Sequence, residues 1–151
     1  MVNFMVYLWS HLVKVTAPTN DEHMAQLVTT GAILKCSFGA APATLNVLPT
    51  NKTLAGAPAA NIMDHQPMVN IPSFGMCSSL ANPTVAAATT AASGVLTPMP
   101  CVPATVSPWA PGSPTAIIGH LPALNSTSKC ICNWGGVIEI AYAGQGTTLV
   151  S

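Results

Sequence analysis

The sequence predicts a mainly β fold, a small domain of short strands and Pro/Gly-rich loops with one short α-helix at about residues 83–93. Three observations predict it. The chain carries 14 Pro and 11 Gly in 151 residues, which punctuates it too often for long regular elements. Its apolar runs are short and loosely alternating, as half-buried strands are. Only one run carries both helix start and helix stop signals. Disorder is excluded by the balance of forces: half the residues are apolar and 5% are charged, the reverse of a disordered composition.

Taken in order, Leu27, Thr29, Gly31, Ile33 and Lys35 alternate as a strand, a turn and a second strand start. Ala43–Leu48 (ATLNVL) predicts another strand, closed by Pro49, and Met68–Ile71 (MVNI) a further one between Pro67 and Pro72. Asn82 is a good N-cap, Pro83 suits the first helical position, and an Ala-rich run leads to Gly94 as the stop. Leu96–Pro114 holds six prolines, Pro98, Pro100, Pro103, Pro108, Pro111 and Pro114, so it is extended and not a central strand. Thr115–Ile118 (TAII) reads as a strand ending at Gly119, and Val137–Tyr142 (VIEIAY) as the last strand, entered from Gly135-Gly136.

The organisation expected is an N-terminal extension over 1–23, a domain over 24–143 and a loose C-terminal tail over 144–151. Met1–Val15 is apolar but too short to span a bilayer, and it has neither the positive start nor the cleavage site of a signal peptide. It gives way to Thr16–His23, which contains two of the chain's four acidic residues.

Charge excludes several functions. The four basic residues are all lysine and the net charge is zero, so no footprint for nucleic acid exists. The basic face of a peripheral membrane helix is absent too. A surface so poor in charge is prone to associate, which points to a partner covering part of it.

Catalytic chemistry is thin. Outside the first 23 residues the only acids are Asp64 and Glu139. Asp64-His65 could serve a triad with Cys77 or Cys132, although neither cysteine sits in a nucleophile signature; a solvated turn before Pro67 is the simpler reading. Gly135-Gly136 is a lone pair marking a turn, with no phosphate loop around it.

The five cysteines, Cys36, Cys77, Cys101, Cys130 and Cys132, are odd in number, against a pure disulfide framework. Cys36, Cys77, Cys101 and Cys132 lie far apart, each near a Gly or Pro. Loops converging from such distances are how a small β domain clamps a closed zinc site. Buried reduced thiols are the alternative. Cys130 shares a strand face with Cys132 and is either spare or the true ligand. His120, after Gly119, is a further possible ligand or a plain loop histidine.

Two internal echoes stand out. Thr53–Asn61 (TLAGAPAAN) matches Ala116–Asn125 (AIIGHLPALN), with one extra residue before the second proline. Cys36-Ser37-Phe38-Gly39 matches Cys132-Asn133-Trp134-Gly135. Repeats of this kind mark one supersecondary unit used more than once, here pseudo-symmetric strand pairs facing one another.

The blocks Gly31–Ala40, Asn46–Pro49, Asn61–Asp64, Pro72–Cys77, Asn82–Thr84, Thr97–Cys101, Pro111–Thr115 and Cys132–Gly136, in that order, resemble the PAAR-like domains. The resemblance runs from Gln26 to about Ile140. It implies a small conical domain that caps a trimeric VgrG-type spike of a type VI secretion system or related contractile injection system, sharpening it for envelope puncture, with no enzymatic activity. It implies a structural zinc held by Cys36, Cys77, Cys101 and Cys132, with Cys130 as the alternative to Cys132. It also implies bacterial cytoplasmic assembly followed by delivery with the spike. Two further readings differ in class: an adaptor carrying a separately encoded effector, and a cysteine hydrolase.

Overall fold

A computed structural model describes residues 24–151; the expected extension over 1–23 lies outside the described residues. The fold is mainly β. Its strands are β1 (Ala25–Gln26), β2 (Ile33–Cys36), β3 (Ala43–Thr44), β4 (Met76–Cys77), β5 (Met99–Pro100), β6 (Ile117–Ile118), β7 (Leu121–Pro122), β8 (Lys129–Ile131), β9 (Val137–Tyr142) and β10 (Leu149–Val150). β3-β2-β9-β8 form an antiparallel sheet, and β1-β10, β4-β5 and β6-β7 are antiparallel pairs.

β9 falls on the residues the sequence predicts, turning Ile138 into the core beside Leu34 of β2. Ala43–Leu48 pairs as a strand over only two residues, yet its burial alternates as predicted: Ala43, Leu45 and Val47 are buried, Thr44, Asn46 and Leu48 exposed. The main core gathers Leu34, Leu45, Ile71, Phe74, Trp109 and Ile138.

The helix, α1 (Pro83–Ala91), begins where predicted, with the Asn82 side chain accepting from the Thr84 N–H at 3.1 Å. It closes through Gly94, whose N–H reaches the Thr89 carbonyl at 2.9 Å. The proline-rich segment is extended, and Cys101, Pro103 and Thr105 turn inward between the exposed Val102 and Val106.

Two expectations are corrected. Met68–Ile71 is a turn: the Gln66 carbonyl accepts from the N–H groups of Asn70 and Ile71, and Met68 has φ of 60°. The buried Asn70 side chain holds that turn, accepting from the Gln66 N–H and donating to the Asn46 carbonyl. The segment 144–151 is docked, not loose. Gln145 Nε2 donates to the Leu27 carbonyl at 2.6 Å, β10 pairs with β1, and Val150 is buried.

That docking completes a pattern the sequence shows only in part. The two echoed segments are joined by a third, and all three meet in a ring of backbone hydrogen bonds. The Val28 N–H donates to Leu124 at 3.0 Å, Leu124 to Ala60 at 2.9 Å, and Ala60 to Val28 at 2.9 Å. A second set of bonds runs around the ring in the opposite sense, with Thr30 donating to Pro58, Ile62 to Pro122 and Ser126 to Gln26. The bridges Leu27↔Asn125, Thr29↔Ala59 and Asn61↔Ala123 repeat around it too.

Each ring strand has its own flanking strand, through Leu54↔Pro58, Ile117↔Pro122 and Gln26↔Leu149. The first two are continuous hairpins. β6–β7 turns through Gly119 and His120 at φ of 59° and 69°, the left-handed pair of a tight two-residue turn. The third is assembled from β1 and β10, near the two ends of the described chain. Strand alternation then splits the side chains. Val28, Ala60 and Leu124 enter the main core, while Leu27, Ala59, Ala123, Ile118 and Val150 form a second apolar cluster on the other side.

Candidate metal centre

The thiols lie at the end of the sheet remote from the ring. Following Thr29 and Ala32, β2 runs from Ile33 to Cys36, and β9 returns from Val137 to Tyr142, followed by Ala143, whose carbonyl accepts from the Thr29 N–H at 2.9 Å. At about 3.3 Å per residue the six residues of β9 separate the two ends by about 20 Å.

At that end the second echo becomes structure. The Gly39 N–H donates back to the Cys36 carbonyl at 3.1 Å, and the Gly135 N–H to the Cys132 carbonyl at 2.9 Å. Each Cys-x-aromatic-Gly block is thus one tight turn, with its thiol on the inner side. Cys77 ends β4 and Cys101 follows β5, so the β4–β5 pair delivers the other two thiols. The turns are pressed together: a Cβ added at Gly136 would stand 2.8 Å from Cys36 Sγ and 3.6 Å from Cys132 Cβ. Only glycine fits there.

Electrostatics groups the same four residues. Burial is the main cause that pushes the Cys36 thiol above its ordinary range, with repulsion from Cys132 and Cys77 adding to it. Cys101 is raised chiefly by burial and then by Cys77, Cys36 and Cys132. Cys130 stands apart: burial pushes it to about 11, and Cys132 is the one thiol that acts on it. Its Sγ instead faces the Ser107 carbonyl at 3.5 Å. These shifts run opposite to the lowering that activates a nucleophilic thiol. All five cysteines are free thiols.

Four separate segments therefore bring Cys36, Cys77, Cys101 and Cys132 within electrostatic reach of one another. They are not drawn to coordination distance: among the described residues no three or more Cys, His, Asp or Glu side chains stand grouped as a metal-holding set. The donor set suits zinc, which favours thiolates in closed structural sites, and the absence of a Cβ at Gly136 leaves the approach between two of the turns open.

The other candidates lie elsewhere. Asp64 Oδ2 accepts from the Asn61 N–H at 2.8 Å, and its carboxyl is raised by burial. The neighbouring His65 Nδ1 meets the Thr105 carbonyl at 3.1 Å. Both therefore hold a turn against the proline-rich segment, with Trp109 Nε1 donating to the Asp64 carbonyl at 2.9 Å. His120 is exposed at the β6–β7 turn, in the ring half of the molecule.

Sequence reasoning missed the threefold ring. One signal was available: Asn61 and Asn125 each close the same turn, accepting from the N–H two residues on at 2.9 and 3.0 Å. Thr29 takes that place in the third unit.

A family described as Domain of unknown function (DUF4280) matches residues 28–145. Comparison with curated proteins and with solved structures finds no match.

Proposed function

The chain belongs to the DUF4280 family, and from that premise we propose that it is a PAAR-like tip protein that caps a trimeric VgrG-type spike of a contractile injection system. The observation that carries this reading is the ring. A single chain that repeats one backbone arrangement three times about an axis fits the end of a homotrimer, where three identical surfaces converge.

The side chains support it further. Leu54, Ile117 and Leu149 occupy equivalent places on the three flanking strands, and they are 70%, 59% and 47% exposed. Lone exposed aliphatics are ordinary, but three at equivalent places form a threefold apolar set. No charged residue occurs in 53–61, 116–125 or 148–151, and depletion of charge is what interface centres show.

At the opposite end, Cys36, Cys77, Cys101 and Cys132 would hold a structural zinc ion, with Cys130 left outside the set. A bound ion supplies a cross-link among four chain segments, and small domains often gain rigidity in this way. Rigidity is what a tip driven through an envelope requires. No step in this role needs a nucleophile, and the reading has the chain act mechanically.

Binding to a purified VgrG-type homotrimer tests the proposal, with the complex mass measured by light scattering. One chain per trimer is expected, and Leu54→Asp, Ile117→Asp and Leu149→Asp should each weaken binding by about tenfold or more, since each would desolvate a carboxylate against an apolar surface. Binding at three chains per trimer, or binding indifferent to all three substitutions, would overturn it.

A further inference from the structure

Strand β8 lies at the edge of the four-stranded sheet, carries Cys130 and leads into Cys132. The proline-rich segment runs antiparallel beside it. At one end the Ala110 N–H donates to the Lys129 carbonyl at 2.9 Å and the Lys129 N–H donates back at 2.8 Å. At the other the Asn133 N–H donates to the Ala104 carbonyl at 2.8 Å, and Trp134 Nε1 to the Val102 carbonyl at 3.1 Å. Between them Thr105 is held twice by His65: its hydroxyl donates to the His65 carbonyl, and its own carbonyl meets His65 Nδ1 at 3.1 Å. Pro103 and Pro108 bracket this stretch and restrict the backbone of the residues before them. The register of the segment against the two thiols is therefore fixed.

In that register the segment offers the two thiols opposite groups. The Ala104 N–H points at Cys132 Sγ at 3.5 Å, and the Ser107 carbonyl faces Cys130 Sγ at 3.5 Å. Each contact has only one direction. An amide N–H donates, so Cys132 is the acceptor and needs no hydrogen of its own; a carbonyl accepts, so Cys130 is the donor and must carry its hydrogen. A sulfur that binds a metal ion has lost its hydrogen. In that state Cys132 becomes the better acceptor for the same N–H, because hydrogen bonds to charged groups are the stronger ones. At Cys130 the same change would set a thiolate against a carbonyl oxygen. The alternation of the strand could not separate the pair, since it turns both sulfurs to one side.

We propose that the proline-rich segment chooses the fourth ligand of the metal site: the Ala104 amide holds Cys132 as the metal-binding thiolate, and the Ser107 carbonyl keeps Cys130 as a thiol outside the set. Ala104 and Ser107 are positioning residues, acting through the sulfurs and not on the ion. Groups bonded to metal ligands from outside the coordination sphere commonly decide how firmly the metal is held. The inference rests on the zinc reading above and adds to it the element that selects between two thiols on one strand.

The test uses the full chain loaded with cadmium-113, a soft divalent ion visible to NMR, in place of zinc. Scalar coupling from the ion should reach the Cβ protons of Cys36, Cys77, Cys101 and Cys132 and the Ala104 amide proton, and should miss Cys130. Ala104→Pro deletes the N–H and should weaken cadmium retention against a competing chelator by about tenfold, the worth of one hydrogen bond to a charged acceptor. Ala104→Gly keeps the N–H and should retain cadmium nearly as wild type does, which a role in packing alone would not allow. The couplings are read in the wild-type chain, so they decide the matter even where the proline variant does not fold. Coupling to the Cys130 Cβ protons, an Ala104 amide proton uncoupled from the ion, Ala104→Pro retaining cadmium like wild type, or Ala104→Gly losing it like Ala104→Pro would each overturn the inference and leave metal binding itself standing. A chain that takes up no cadmium would overturn the zinc reading, and this inference with it.

Discussion

Exchanging a large and a small residue around the ring tests whether the three segments share one packing site. Val28, Ala60 and Leu124 are all fully buried and belong to the same core cluster, and each donates to the next through its backbone. Leu124→Ala removes three carbons from that site and should cost about 3 kcal/mol, as buried Leu→Ala changes do. Ala60→Leu overfills the same site at a cost of about 1–3 kcal/mol. In the double variant the displaced volume is returned one position around the axis, so the cost should fall at least about 1 kcal/mol short of the sum. Urea denaturation of the four proteins, compared at equal m-value, measures the coupling. Costs additive to within about 0.5 kcal/mol would mean that the two side chains occupy separate sites, and the threefold account of the ring would be refuted.

Two further predictions concern the thiols and the Lys129–Glu139 ion pair. Chain purified with zinc present should carry one equivalent by elemental analysis. Cys36→Ser, Cys77→Ser, Cys101→Ser and Cys132→Ser should each lose it, Cys130→Ala should keep it, and Gly136→Ala should weaken retention because its Cβ would stand 2.8 Å from Cys36 Sγ; zinc lost from Cys130→Ala alone would reverse the assignment. Glu139 is held below the usual carboxylate range by its hydrogen bond from Lys129 and then by that residue's charge. A lowered carboxylate contributes stability at pH above its unfolded value, and the contribution is lost as pH falls through the folded value. NMR titration should therefore find Glu139 below 4.5 in the wild type and moved up toward it in Lys129→Ala, with almost no change in stability at pH 7 because both side chains are more than half exposed. An unmoved titration would sink the pairing.

Local chemistry was the legible part of the sequence. Val137–Tyr142 and the Asn82-Pro83 start of α1 depend on residues adjacent in the chain and form as read, while the echoed Cys-x-aromatic-Gly blocks prove to be matching tight turns. Met68–Ile71 misled because its apolar residues resemble a strand, while the deciding group is the Asn70 amide bonded to Asn46 across a loop. The tail misled for a related reason: Gly144–Ser151 has the composition of a loose end, and its partner β1 lies at the other end of the described chain. The two echoed segments were visible because both keep Gly, Pro-Ala and Asn. The third was hidden because Gln26-Leu27-Val28-Thr29 shares none of those residues and because its flanking strand is more than a hundred positions away. Backbone hydrogen bonding tolerates that divergence, since the ring asks only for an extended strand with a buried middle residue.

A linear polymer that imitates a trimer must be cut in one of its three lobes, and here the cut falls where β1 and β10 lie side by side. The lobe is closed without a covalent turn, by strand pairing and the burial of Val150, so which lobe is open is an accident of threading. Joining Ser151 to Ala25 through a Gly-rich turn and opening the chain at Gly56 or Gly119 would yield two isomers with the same contacts and a different order of synthesis. In such isomers, anything fused to an end would leave from another side of the same platform.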